Sequence, residues 1–418
     1  MGTTRAGSVR VLVQRERIER LRAGSRLLGP AFVAAVAYVD PGNVATNTAA
    51  GATYGYLLLW VLVGATLMAG LVQYLSAKVG WLTGRSLPAL VGERNPTWSR
   101  RAYWVQAEVV AVATDLAEIV GGSLALNLLF GLPVVAGAFI TTAVSTTLLM
   151  LQSRRRQKTF ERVVTGMLAI VAIGFLAGLF LDPPDAAGAL GGLVPRLDGA
   201  DSALLAVGML GATVMPHAVY LHSALVGDRH GRATGSDARQ VLRGVRVDVV
   251  LAMVFAGAVN IGMLLVAAST LSGLPVADLP DAVAGIRDRL GSAVATLFAL
   301  GLLASGLAST SVGGYAGAVI TEGLLHRRIP LLVRRLMTAG PALVLLAVGL
   351  DPTELLIGSQ VVLSFGIPFA LVPLVRIAAD ARLMHLAPTA RRTIGVAWLV
   401  VGVVVALNAT LVVLTVLG

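Results

Sequence analysis

The sequence contains no cysteine, which removes disulfides, thiolate metal sites and thiol redox chemistry from consideration. Charge is scarce as well. Only 13% of the 418 residues are Asp, Glu, Lys or Arg, about half the fraction that a soluble domain carries. Lysine occurs only at Lys78 and Lys158, so the basic side chains are almost all arginine, a composition that suggests a GC-rich bacterial genome. No phosphate-binding loop, nucleophile elbow or HExxH motif is present, and nothing in the chain reads as an enzyme. The net charge of +11 raises the question of a nucleic-acid partner. The placement of the arginines answers it.

What is present is apolar sequence. Hydrophobic residues make up 56% of the chain and recur in runs of about 20, the length that crosses a bilayer. Such runs are too long for barrel strands, so the chain reads as an all-α polytopic membrane protein. Spans are expected at 28–53, 55–79, 103–128, 132–152, 160–182, 203–226, 240–268, 285–325, 331–350, 353–378 and 393–417. The eighth is long enough to extend beyond the bilayer.

The basic residues then fall on one side. Arg5 to Arg26 precede the first span, and Arg94, Arg100 and Arg101 follow the second. Arg154, Arg155, Arg156 and Lys158 follow the fourth; Arg229, Arg232 and Arg239 follow the sixth. Arg327 and Arg328 follow the eighth, and Arg382, Arg391 and Arg392 follow the tenth. The opposite loops hold Arg196, Arg287 and Arg289 among acids such as Asp182, Asp185, Asp198, Asp201, Asp278 and Asp351. The positive-inside rule puts the N-terminus in the cytoplasm and the C-terminus outside. The positive charge is therefore a topology signal facing lipid headgroups, and no nucleic acid is expected. Residues 1–26 are too polar for a signal peptide. Asn408 opens an Asn-Ala-Thr triplet, but within the eleventh span, which argues against glycosylation.

Two stretches break the apolar pattern. The first span carries AYVDPGNVATN at 37–47, and the sixth carries ATVMPHAVYLH at 212–222. Ala37, Val39, Pro41 and Val44 match Ala212, Val214, Pro216 and Val219 at equal offsets, 175 residues apart. The two stretches open spans one and six of two five-helix blocks, and because five is odd the second block enters the membrane inverted, the arrangement of many secondary transporters. The expected units are 27–182 and 203–378, joined by a loop at 183–202 and followed by a loop and an eleventh helix at 379–418.

Proline explains the breaks. It offers no N–H to the carbonyl four residues back, so Pro41 and Pro216 leave the carbonyls of Ala37 and Ala212 without their helical partners. Both oxygens sit at the electronegative end of a half-helix, which favours a cation. Asp40, Asn43 and Met215 stand around them. A carboxylate at the bilayer centre costs about 2.5–3.5 kcal/mol on insertion scales and marks a functional candidate. One carboxylate, one amide, two carbonyls and one thioether suit a cation softer than sodium or magnesium. Met215 on its own reads as packing rather than as a ligand; it is the two breaks together that point to a site.

The paired motifs DPGN and MPH, the latter followed by YLHSAL, resemble those of the Nramp family of divalent metal transporters over essentially the whole chain. The resemblance implies a LeuT-type fold with two inverted five-helix repeats plus an eleventh helix. It also implies import of manganese, ferrous iron and similar metals, cobalt and cadmium among them, together with protons. On that resemblance Asp40, Asn43, Met215 and the Ala212 carbonyl are metal ligands. The Ala37 carbonyl and the Gln360 side chain join them in particular conformations. The metal is cargo and no cofactor is expected. Magnesium-carrying relatives differ at the methionine position, which this chain keeps.

Protons need carriers of their own. Glu108, Asp115 and Glu118 are spaced by seven and three residues in the third span, on one helical face. Arg334 and Arg335 open the ninth span and can pair with them. This set is either a relay or a static ion-pair network. The resemblance favours a path from Asp40 and His217 through Asp115 and Glu118 to the arginines. His222, five residues past His217, is rotated about 140° from it, so the two do not form one clamp. Asn260 in the seventh span faces the metal route or makes an interhelical hydrogen bond. Two rival readings are a sodium-coupled organic-solute transporter of the same fold and a membrane-bound metal sensor. No protein partner is called for; the expected partners are divalent metal ions, protons and the lipid bilayer of a bacterial plasma membrane.

Overall fold

The structure is a computed structural model that describes residues 29–151, 157–231, 238–274 and 278–417. The polar segment 1–26 and the loop arginines Arg154, Arg155, Arg156 and Arg232 lie outside the described residues. Among the described residues all regular structure is helical.

The chain opens on a broken helix: α1 (Pro30–Val36), a 3-10 turn (Ala37–Val39), then α2 (Pro41–Tyr54). Asp40 between them is extended, with φ −78° and ψ 169°, the backbone that a residue before proline adopts. The first block continues through α3 (Leu59–Thr83), a short α4 (Leu87–Arg94), α5 (Thr97–Phe130), α6 (Val134–Leu151) and α7 (Gln157–Leu176). A short α8 (Ala186–Gly191) lies in the connection to the second block. That block opens on a second broken helix, α9 (Gly199–Thr213) and α10 (Pro216–His230), interrupted at Val214 and Met215. It continues with α11 (Ala238–Thr270), α12 (Leu279–Leu290), α13 (Ser292–Leu325), α14 (Leu331–Ala347) and α15 (Pro352–Ala379). Helix α16 (Arg391–Leu417) follows both blocks.

Eight of these helices are long and apolar enough to cross a membrane, the second broken helix being taken as one. The other three expected spans are the broken α1–α2, the short α6, and α14, whose 17 residues include two arginines. The expected eighth span, 285–325, is corrected at its start. Gly291 has φ 93°, outside the helical region, and divides an amphipathic α12 from the membrane helix α13. Asp278 caps α12 by accepting from Asp281 N at 2.8 Å.

Position in the bundle follows burial. In the most apolar window of the second broken helix 94% of residues are buried, against 33% in α16. The broken helices therefore form the centre and α16 the edge. Val105, Val109, Ile173, Val254, Leu336 and Leu399 are exposed on the outer faces, an apolar belt too extensive for a soluble monomer. Helix α5 packs against α13 and α15, α2 against α11, and α9 against α15. These contacts bring both breaks, α5 and α15 to one place.

Candidate metal centre

Asp40 serves two ends at once. Its Oδ1 caps α2 by accepting from Asn43 N at 2.8 Å, which replaces the hydrogen bond that the break removes. The same oxygen accepts from Asn43 Nδ2 at 2.8 Å. Its other oxygen, Oδ2, is buried and has no hydrogen-bond partner among the described residues. Asn43 Nδ2 also donates to the Ala212 carbonyl at 2.9 Å, which joins the first break to the second. Asp40, Asn43, Ala212, Met215 and Gln360 are all fully buried. The site is closed from both sides.

Unwound backbone inside a membrane protein must find other partners. Asn260 of α11 donates to the Tyr38 carbonyl at 2.7 Å, and Ser305 of α13 donates to the Val39 carbonyl at 2.5 Å. Asn260 Oδ1 accepts from Asn47 Nδ2 at 3.0 Å. Asn260 thus clasps both halves of the first broken helix, the interhelical bond that was one of its two readings. His222 Nδ1 lies 2.6 Å from Gln73 Oε1, and Gln73 in turn donates to the Tyr38 hydroxyl. His222 points along this chain of polar side chains to the turn before Asp40, and no described contact links it to His217.

Helix α15 brings Gln360 over the first break. A methyl group at Gly42 would overlap the Gln360 amide, so only glycine allows this approach. Gln360 Nε2 donates to Ser359 Oγ at 3.0 Å, while its Oε1 is buried without a partner among the described residues. Two orphan oxygens, one of them on a carboxyl group, therefore lie at the junction of the breaks. Buried oxygens without donors cost free energy unless a cation or proton meets them. Gly42 and Thr213, whose hydroxyl lies 3.5 Å from Asn43 Oδ1, were not singled out from sequence. A small residue between a proline and a ligand is the only signal the first of them gives.

The acids of α5 face α13 and α14. Arg335 Nη1 donates to Asp115 Oδ1 at 2.6 Å, both groups being buried. Arg334 Nη1 lies 3.4 Å from Glu108 Oε2 and donates to Thr321 at 2.5 Å. Glu118 sits against Gly313 of α13, and its Oε2 has no partner among the described residues. His217 Nδ1 lies 3.3 Å from Thr114 Oγ1 and its Nε2 is likewise unpartnered. A narrow pocket between α5, α10, α13 and α14 is lined by Thr114, Asp115, His217, Arg334, Arg335 and Thr338. Of the residues of the expected proton path, Asp115, His217, Arg334 and Arg335 line this pocket, while Asp40, Glu108 and Glu118 do not, and His217 stands two positions beyond Met215.

Comparison with known proteins agrees with this architecture. The family model described as natural resistance-associated macrophage protein-like matches residues 31–414. The chain belongs to the Nramp family. Relatives of this Nramp chain include the divalent metal cation transporter MntH of Mycobacterium tuberculosis H37Rv, 55% identical over 95% of this chain and 94% of the relative. The MntH of Bacillus subtilis 168 is 46% identical over 92% and 91%. Among solved structures, the Eremococcus coleocola manganese transporter superposes with TM-score 0.82 at 29% identity, over 93% of this chain and 86% of that one. The nucleobase-cation symporter MHP1 shares the fold alone, with TM-score 0.54 at 13% identity over 88% and 81%. The Nramp chain is thus an all-α, multi-pass membrane protein of the LeuT type, and its relatives are named as transporters, not enzymes.

Proposed function

We propose that the chain imports divalent transition-metal ions, manganese and ferrous iron foremost, in symport with protons across the bacterial plasma membrane. The observation that carries this reading is the buried, unpartnered Asp40 Oδ2 at the junction of two proline breaks. The names of relatives as divalent metal cation transporters support it. Asp40, Asn43, Met215 and the Ala212 carbonyl form the binding set, with the Ala37 carbonyl and Gln360 joining as the site closes. Cobalt and cadmium suit the same mixture of oxygen and sulfur donors.

Asp40 couples the two fluxes. A carboxylate must be deprotonated to ligate a metal, so metal and proton compete for it. The proton then moves by way of His217 to Asp115 and Glu118, with Arg335 and Arg334 holding the acids of α5 in place. The break geometry supports alternating access, in which α1 and α9 would hinge at their unwound ends while Asn260 and Ser305 hold the turn carbonyls of the first break. The inverted units are residues 27–182 and 203–378, with the N-terminus cytoplasmic and the C-terminus outside. His222 and Asn260 border the route between the site and the cytoplasm.

The test is metal uptake into proteoliposomes with an internal pH dye. Manganese entry accompanied by acidification is the expected result. Metal entry without proton movement would sink the symport reading, and amino-acid transport in place of metal transport would replace it with a sodium-coupled carrier.

A further inference from the structure

Helix α15 carries two internal prolines, Pro368 and Pro373. Each removes the N–H that would bond the carbonyl four residues back, at Ser364 and Phe369. Both carbonyls are met from other helices. Asn408 of α16 donates its Nδ2 to the Ser364 carbonyl at 3.1 Å, and its Oδ1 accepts from Ser364 Oγ at 2.9 Å. Tyr220 of α10 donates its hydroxyl to the Phe369 carbonyl at 3.2 Å. Ser364 is fully buried and Asn408 is 5% exposed. The asparagine in the triplet on the last helix thus has a use unrelated to sugar.

Ser364 lies one turn from Gln360 on α15. A methyl group at Gly211 of α9 would meet both the Gln360 carbonyl and Ser364 N, so this turn of α15 is pressed against the second broken helix. A kink next to a ligand needs a restraint, because a freed carbonyl in hydrocarbon either finds a donor or lets the helix rearrange.

We infer that Asn408, through its reciprocal pair with Ser364, is a positioning residue that fixes the α15 kink and thereby holds Gln360 over Gly42 and the metal site. The eleventh helix, outside both repeats, in this way sets the closed form of the site. The inference rests on the proposed metal transport and deepens it.

The experiment measures manganese uptake by proteoliposomes holding the wild type, Asn408→Leu, Gln360→Ala and the double variant. Loss of one buried hydrogen-bonded restraint raises KM about three- to tenfold in Asn408→Leu with Vmax close to wild type. Gln360→Ala raises KM as well, and the double variant is no worse than the larger single effect, since both act through one side chain. Asn408→Gln, which keeps the amide, recovers most of the affinity. If the leucine variant is not recovered folded, Ser364→Ala removes one of the two hydrogen bonds and leaves the kink carbonyl paired. Its KM then rises about twofold, again without addition to Gln360→Ala. An unchanged KM with lowered Vmax or yield, or effects that multiply in the double variant, would overturn the inference and leave the pair structural. A wild type that moves no metal would instead refute the transport reading itself.

Discussion

Asn43 Nδ2 lies 2.9 Å from the carbonyl oxygen of Ala212, a hydrogen bond across 169 positions of sequence that ties the first proline break to the second. The same nitrogen lies 2.8 Å from Asp40 Oδ1. Its two N–H groups therefore stand between oxygens of the two half-helices, where a cation would bind. An amide that turns by 180° presents its oxygen instead of its nitrogen. Arrival of a dication would favour that turn, because its positive charge replaces the two donors and gains a further oxygen ligand. On the proposed reading, the amide that ties the two breaks together would be the group that turns when a metal arrives.

The Asp40→Asn variant is expected to stay folded and to lose manganese uptake to background. The amide still offers an oxygen to cap α2 at Asn43 N, so the break survives. What disappears is the anionic charge that a dehydrated dication requires. Size-exclusion behaviour reports folding and proteoliposome uptake reports function; normal uptake would remove Asp40 from the site.

Gly42→Ala is expected to separate packing from propensity. Alanine favours a helix over glycine by about 1 kcal/mol, yet here its methyl would overlap the Gln360 amide. Overpacking of this kind costs about 1–3 kcal/mol, and Gln360 must withdraw from the break. Thermal stability should fall and KM for manganese should rise. Gly64→Ala on α3, where a methyl meets open space, is the matched control and should be neutral or mildly stabilising. Equal behaviour of the two variants in both assays would show that the contact with Gln360 is of no consequence.

What could be read from the sequence follows from local chemistry. Proline removes a hydrogen bond wherever it sits, so Pro41 and Pro216 announced both breaks, and Asp40 announced a buried charge. A 100° rotation per residue put Glu108, Asp115 and Glu118 on one face. Pairing between helices was not legible: that Arg335 takes Asp115 and Arg334 takes Glu108 depends on how α14 lies against α5. Gly291 was hidden for another reason. The charged Arg287, Asp288 and Arg289 just before it argue against a span there, but the exact join of α12 and α13 is marked by its positive φ. Pro368 and Pro373 were visible, but their partners Asn408 and Tyr220 belong to helices whose neighbours no local pattern specifies.

The two acids nearest the proton route should respond differently to neutralisation. Asp115→Asn breaks a buried ion pair and strands the Arg335 charge, at a cost of about 3–5 kcal/mol in stability. Glu118→Gln breaks no ion pair among the described residues, and its Oε2 has no partner there. Its stability should fall less than that of Asp115→Asn. Both should reduce proton entry more than metal entry, because neither acid is among the proposed metal ligands and each would act through its own protonation. Proton flux matching wild type in both variants, at unchanged metal uptake, would return the stripe to a purely structural role.

Met215 tests selectivity. It occupies the N-cap of α10 at the second break and is fully buried. A thioether is a poor ligand for calcium and magnesium, which take oxygen. In the wild type those ions must shed water and gain little from sulfur, whereas manganese, iron and cadmium gain more. Met215→Ala opens space for a retained water, an oxygen ligand that calcium accepts readily. The variant should still carry manganese, lose affinity for cadmium, and begin to admit calcium or magnesium. The effect is a difference of affinities, so it must be read as competition between ions in one assay. A variant that binds cadmium as tightly as wild type and still excludes calcium would make Met215 a packing residue, and the preference for soft metals would then have to arise from the oxygen ligands and the size of the closed site.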